Sequence, residues 1–242
     1  KCAKLHIFDE IGRNISIDEI LNYVKTAVKE GNSDAMYVYA HMLKNGIGVS
    51  TDIDESIRYY KMAIEKGNDG AMTDYGEILQ NGEIVEKDIN EAIRLYKIAI
   101  DKGNPVAMYN FGLLYEYGYG VKKDKPEAAR LYRMSGKKNC FDAYNQLGIM
   151  LEKGDGIPIN KVEAAKVFNE AAVYGSVPEA MLNYANMLNM GNGIPIDKVE
   201  ALSFYENAAL YGIVDAMVNA GRLLNDGDGV PMDKNKAQSY FK

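Results

Sequence analysis

The chain has 242 residues, 47% of them hydrophobic and 26% charged, and its 28 Lys and Arg against 34 Asp and Glu give a net charge of −6. That composition argues against wholesale disorder, and its sign argues against a nucleic-acid partner. With two cysteines (Cys2, Cys140), two histidines (His6, His41) and no apolar run near the roughly 18 residues of a membrane span, no disulfide framework, metal centre, cofactor or membrane insertion is expected.

A period of 36 residues organises the chain. Gly31, Gly67 and Gly103 keep it, the next step falls on Asn139, then Gly175, and Gly212 lies 37 further on. Ala35, Ala71, Ala107, Ala143, Ala180 and Ala216 keep the same rhythm, with one insertion between Gly175 and Ala180, beside Pro178. Such a period signals stacked supersecondary units.

In chain order, the sequence opens on Lys1 rather than Met, so the natural N-terminus is expected upstream. Residues 1–30 fit as the tail of a degenerate repeat, with Gly12 aligned to a loop glycine and Val24 and Ala27 to the second-helix pattern. Full repeats are predicted at 31–66, 67–102, 103–138, 139–174 and 175–211, followed by a truncated one at 212–242, all in a single array. Both ends are expected to be cut and to expose apolar surface.

Each repeat reads as a helical hairpin. The glycines at 31, 67, 103, 175 and 212, and Asn139, occupy one position, which reads as a left-handed helix stop. Asn104 and Pro105 start the next helix as cap and first-turn residue. Counting from the repeat alanine as zero, offset 5 is always small (Ala40, Gly76, Gly112, Gly148, Ala185, Gly221), which predicts close approach of another helix backbone.

A Gly-x-Gly loop follows at 46–48, 118–120, 154–156, 191–193 and 227–229. The second repeat has Gly82-Glu83-Ile84 instead, so its loop must turn differently or bear strain. The second helix is announced by Asp52, Asp88, Asp124, Asn160, Asp197 and Asp233, five of them with Glu three residues later, the pattern of a capping box. An aromatic residue recurs within it: Tyr60, Tyr96, Tyr132, Phe168, Tyr205 and Phe241. A hairpin of this kind cannot bury its apolar faces alone, so the expected fold is all-α, an α/α solenoid forming a right-handed superhelix with a concave face.

The run Ala107-xxx-Phe111-Gly112-xx-Tyr115-xx-Gly118-x-Gly120-Val121-xx-Asp124-xxx-Ala128-xx-Leu131-Tyr132 resembles the Sel1-like repeat, a relative of the tetratricopeptide repeat. The similarity covers essentially the whole chain, with Ile84, Ser56, Asn139 and the insertion as departures. It implies a non-enzymatic adaptor or scaffold whose partner is a protein or peptide. A second copy of the chain is the alternative partner, giving an architectural module that self-associates through its repeat faces. A cytoplasmic location is the favoured expectation, and the resemblance also allows association with the endoplasmic reticulum.

First helices are expected to line the groove, with offsets 3 and 6 facing it. Those rows supply the candidate partner-binding residues: Asp74, Asn110, Gln146, Asn183 and Asn219 at offset 3, and His41, Glu77, Asn186 and Arg222 at offset 6. Amide side chains carry both donors and acceptors, as binding an extended peptide backbone requires. In related tetratricopeptide domains the offset-3 position often holds a peptide-binding asparagine, and the resemblance extends that role to Asn110, Asn183 and Asn219. A solvated helix surface would also be polar at these places. The recurring tyrosines and methionines read as packing, the Gly-x-Gly loops as turn geometry rather than phosphate cradles, and Cys140 as inert. No residues suggest a nucleophile with its base, so no catalytic site is expected.

Overall fold

The computed structural model describes residues 15–241, so the expectations for Cys2, His6, Gly12 and Lys242 lie outside the described residues. Among the described residues there are thirteen α-helices and no strand. They fall in two compact units that divide at Lys123 and Asp124. The first holds α1 (Ile17–Lys29), α2 (Ser33–Asn45), α3 (Ile53–Glu65), α4 (Asp69–Asn81), α5 (Ile89–Asp101) and α6 (Pro105–Tyr117). The second holds α7 (Lys125–Gly136), α8 (Phe141–Lys153), α9 (Lys161–Val173), α10 (Pro178–Met190), α11 (Lys198–Leu210), α12 (Val214–Asp226) and α13 (Lys234–Tyr240).

Within each unit, every helix packs on its neighbours in sequence, as the repeat grid requires. The alanines at offset zero are buried, and so are Met36, Met72, Met108 and Met181 beside them. Tyr60, Tyr96, Tyr132, Phe168 and Tyr205 have no exposed surface. Burying one such ring is worth about 1.5–3 kcal/mol, which makes the aromatic row the main apolar contribution of each second helix.

The small residue at offset 5 has a different reason from the one expected. A Cβ on Gly76 would lie 2.8 Å from the Tyr96 ring, and one on Gly148 would lie 2.5 Å from the Phe168 ring. The close neighbour is the second helix's aromatic side chain, not a helix backbone.

The capping box is also only half present. All six Asp and Asn caps accept the backbone N–H three residues on, at 2.9–3.0 Å. Glu55, Glu91 and Glu127 do not reach back; they bind Arg58, Arg94 and Arg130. The cap's own N–H is already engaged: Asp52, Asp88, Asn160, Asp197 and Asp233 donate to the carbonyls of Leu43, Leu79, Leu151, Leu188 and Leu224. Among the described residues, only at Ser16, ahead of α1, does the glutamate (Glu19) complete the box.

Asn139 is left-handed at φ 67°, as the glycine pattern predicts. Gly175 is not; the insertion transfers the left-handed position to Ser176, at φ 50°. Glycine is needed at 175 because the Phe141 side chain occupies the place where a Cβ would stand. In the second loop Ile84 avoids positive φ, and the loop turns differently from the rest. Ser56, in an otherwise alanine position, is buried and donates to the Ala40 carbonyl at 2.7 Å, so the polar substitution is satisfied.

The second glycine of the loop joins successive repeats. A Cβ there would meet the first residue of the preceding repeat's second helix: Ile17 for Gly48, Ile89 for Gly120, Lys125 for Gly156, Lys161 for Gly193 and Lys198 for Gly229. Gly120 also has φ +69°. Gly120→Ala therefore combines backbone strain with a clash and is expected to lower stability by about 2 kcal/mol in urea denaturation. Adding Ile89→Ala should relieve the clash and recover part of that loss relative to the Ile89→Ala background.

Candidate functional site

In the first unit, α2, α4 and α6 carry His41, Asp74, Glu77 and Asn110. Asp74 accepts a hydrogen bond from the Tyr37 hydroxyl at 3.0 Å. Burial pushes its carboxyl up to about 6, against the lowering effect of that bond and of Lys44. Asp74 and Glu77 line a hollow of about 220 Å³ with Lys44, Ile78, Asn81, Glu83 and Ile84. His41 is half-buried; burial and then the charge of Lys44 lower its pKa, and its Nδ1 has no partner. The Asn110 Nδ2 is buried and makes no hydrogen bond of normal geometry. Tyr60 and Tyr96 are driven to higher pKa, chiefly by burial, with the charges of Asp74 and Glu77 adding to it. The Tyr96 hydroxyl donates to Gln80 at 3.1 Å.

In the second unit, α8, α10 and α12 carry Gln146, Asn183, Asn186, Asn219 and Arg222. Gln146, Asn183, Asn186 and Asn219 are half-buried, while Arg222 is exposed. The asparagines are joined to one another across repeats. Asn183 donates to Asn145 at 2.9 Å, and Asn219 donates to Asn186 at 3.2 Å. The Tyr205 hydroxyl donates to the same Asn186 oxygen at 2.7 Å. Burial raises the Tyr205 pKa to about 12, partly offset by the amides of Asn189 and Asn219, so this hydroxyl stays protonated at neutral pH.

The predicted offset-3 and offset-6 rows therefore come together locally: Asp74 with Glu77 in one unit, and Asn186 with Asn219 in the other. Sequence reasoning missed the residues that hold them, namely Tyr37, Asn145 and Tyr205. Tyr205 was visible in the aromatic row, but its periodicity speaks for packing and is silent on where the hydroxyl emerges. Among the described residues no group of three or more His, Cys, Asp or Glu could hold a metal ion, and no helix is long and apolar enough to cross a membrane. Cys140 is buried at the start of α8 and is not a free thiol.

The Sel1 repeat profile matches residues 33–68, 70–104, 105–140, 141–172, 178–210 and 214–242. The chain belongs to the Sel1 repeat family. It is similar to a Sel1 repeat protein from Oxalobacter formigenes, with 29% identity and a TM-score of 0.85 over 98% of this chain and 95% of that one. It also resembles a protective antigen of uropathogenic Escherichia coli displaying an SLR fold, at 24% identity and a TM-score of 0.83. That likeness covers 98% of this chain, which spans about half (50%) of the antigen's length. An immunity protein from Pseudomonas aeruginosa shares the fold at 20% identity and a TM-score of 0.54, over 86% of this chain and 79% of its own. No curated protein sequence matches this one significantly. Sel1 repeat proteins are in general non-catalytic scaffolds for protein interaction.

The raised Asp74 pKa makes a signed prediction. An acid whose folded pKa lies above its unfolded value of 3.8 binds its proton more tightly in the folded state, so it weakens stability as pH rises through 4 to 6. Asp74→Asn keeps an acceptor for Tyr37 and removes the charge. Thermal melts should show the variant more stable than wild type at pH 7.5, with the difference closing towards pH 4.

Proposed function

We propose that this chain is a protein-interaction module that holds an extended peptide of a partner against the polar rows of its first helices. The observation that supports this most is the asparagine cluster of the second unit. Asn145 holds the amide of Asn183, Asn186 holds that of Asn219, and the Tyr205 hydroxyl holds Asn186. Each amide has more hydrogen-bonding capacity than these contacts consume: Asn183 and Asn219 keep their oxygens, and Asn186 keeps its NH₂. Alternating acceptors and donors match the edge of an extended backbone, and prior fixation of the side chains reduces the ordering cost of binding.

The test uses a labelled peptide selected from a displayed library on the wild-type protein. Asn183→Ala with Asn219→Ala should weaken its binding at least tenfold by fluorescence anisotropy, about 1.4 kcal/mol. Undiminished affinity would dismiss these residues as the site.

Self-association is a second reading, and a separate observation favours it. The turns that end α9 and α11 expose Val173, Tyr174, Leu210, Tyr211 and Val214, with Leu210 84% and Tyr174 75% accessible. In the first unit the corresponding turns carry Glu65-Lys66 and Asp101-Lys102. Large apolar side chains exposed at successive repeats are candidates for a contact site. On this reading, light scattering over a range of concentrations detects dimers that Tyr174→Glu with Leu210→Glu abolishes; a strict monomer at every concentration eliminates it.

A further inference from the structure

We propose that the hollow between the second and third repeat loops binds a small neutral saccharide, at residues separate from the peptide rows. This hollow measures about 470 Å³ and is lined by Gln80, Asn81, Glu83, Lys87, Ile89 and Tyr119, with the glycines of the third loop.

Its origin is the one departure from the Gly-x-Gly pattern. In five loops the residue after the first glycine (Ile47, Tyr119, Asp155, Asn192, Asp228) donates its N–H to a carbonyl five residues back. Glu83 has no such bond, and the second loop swings away from that course. The third loop contributes the other wall. Its central residue in later repeats is tied down, Asp155 and Asp228 by Lys125 and Lys198, and Asn192 by Glu152. Facing Tyr119, the equivalent of those lysines is Ile89, which offers no charge. Tyr119 is left 61% exposed, with its ring stacked on Tyr117 at 5.8 Å and 26°.

The chemistry of the lining selects the ligand. A flat exposed ring, braced from the side by another, takes the C–H face of a pyranose. Gln80 is oriented because its oxygen accepts from Tyr96, which directs its NH₂ elsewhere. Asn81, Glu83 and Lys87 add donors and acceptors suited to neighbouring hydroxyls. Glu83 and Lys87 form no ion pair among the described residues, and their opposite charges leave no net preference for an ionic ligand. Between the later loops of the second unit, Lys–Asp pairs and the Asn192–Glu152 bond tie down the matching place, whereas here the place is open and shares only Asn81 and Glu83 with the hollow of Asp74 and Glu77. Its volume lies in the range of small-molecule sites.

The test is saturation-transfer NMR with glucose, galactose, mannose, N-acetylglucosamine, lactose and cellobiose, followed by titration of tyrosine fluorescence. At least one sugar should bind, with transfer strongest at its ring C–H protons. Tyr119→Ala should weaken that binding about fivefold or more, and Tyr119→Phe should retain it. Circular dichroism melts of both variants should match wild type. No binding by any of the six sugars, or affinity unaltered in Tyr119→Ala, overturns the proposal. So does a proline-rich decapeptide that binds at Tyr119 where the sugars do not.

Discussion

Each repeat depends on an aromatic ring of the second helix lying against the Cα of a small residue on the first. Tyr96 on Gly76 and Phe168 on Gly148 leave no room for a larger side chain without movement. This contact sets how closely the two helices of a hairpin approach, and interiors packed to this density respond to a single added methyl group. It also reaches the candidate site. Most buried hydroxyls find a polar partner; Tyr96 and Tyr205 do so on the first helix, at Gln80 and Asn186, while the Tyr60 hydroxyl has none. Where the ring is Phe168 there is no hydroxyl to receive, and Asn183 is bound by Asn145 of the preceding first helix instead. Core packing thus determines which amides are fixed and by what.

The two units solve the junction between repeats with different chemistry. In the first, apolar Ile17 and Ile89 cover the second loop glycine; in the second, Lys125 and Lys198 do so with their stems and Lys161 with its backbone carbonyl and Cβ. The lysine heads then bind Asp155 and Asp228, pairs open enough to water that their energetic value is small. First-helix caps diverge too. Asn32, Asn68 and Asn104 accept backbone N–H groups, whereas no side-chain hydrogen bond caps the helices after Cys140, Val177 and Ile213. One repeat grammar therefore carries a polar turn edge in the first unit and an apolar one in the second.

Much of this was legible in the residues. The period of 36, the buried alanine row, the aromatic row and the second-helix caps all translate directly into helices, because each rests on local chemistry that recurs. What was not legible depends on non-local partners. Glu91 was expected to reach back to Asp88, but Asp88 had already given its N–H to Leu79, a contact invisible in a local motif. Gly175 fitted the left-handed series by spacing, yet the insertion moved that conformation to Ser176 and left glycine needed for Phe141. The candidate rows were placed by helical spacing alone, which gives a direction but not a bonding partner; Asn145 and Tyr37, one position off the row, were therefore overlooked.

The bond from the second-helix cap to the first-helix leucine is indifferent to what lies between them. Asp88 N–H meets Leu79 at 3.0 Å across the divergent second loop, while Asp52, Asn160, Asp197 and Asp233 make the same contact at 2.9–3.1 Å across Gly-x-Gly loops. The hairpin is thus clamped below its crown, which leaves the crown one task in holding the fold, the seating of its second glycine on the preceding repeat. Among the described loops, only at residues 83–87 does Ile84 replace that glycine, so this is the one crown without that seat: the architecture is a rack whose shelves are fixed and on which a single label has been exchanged.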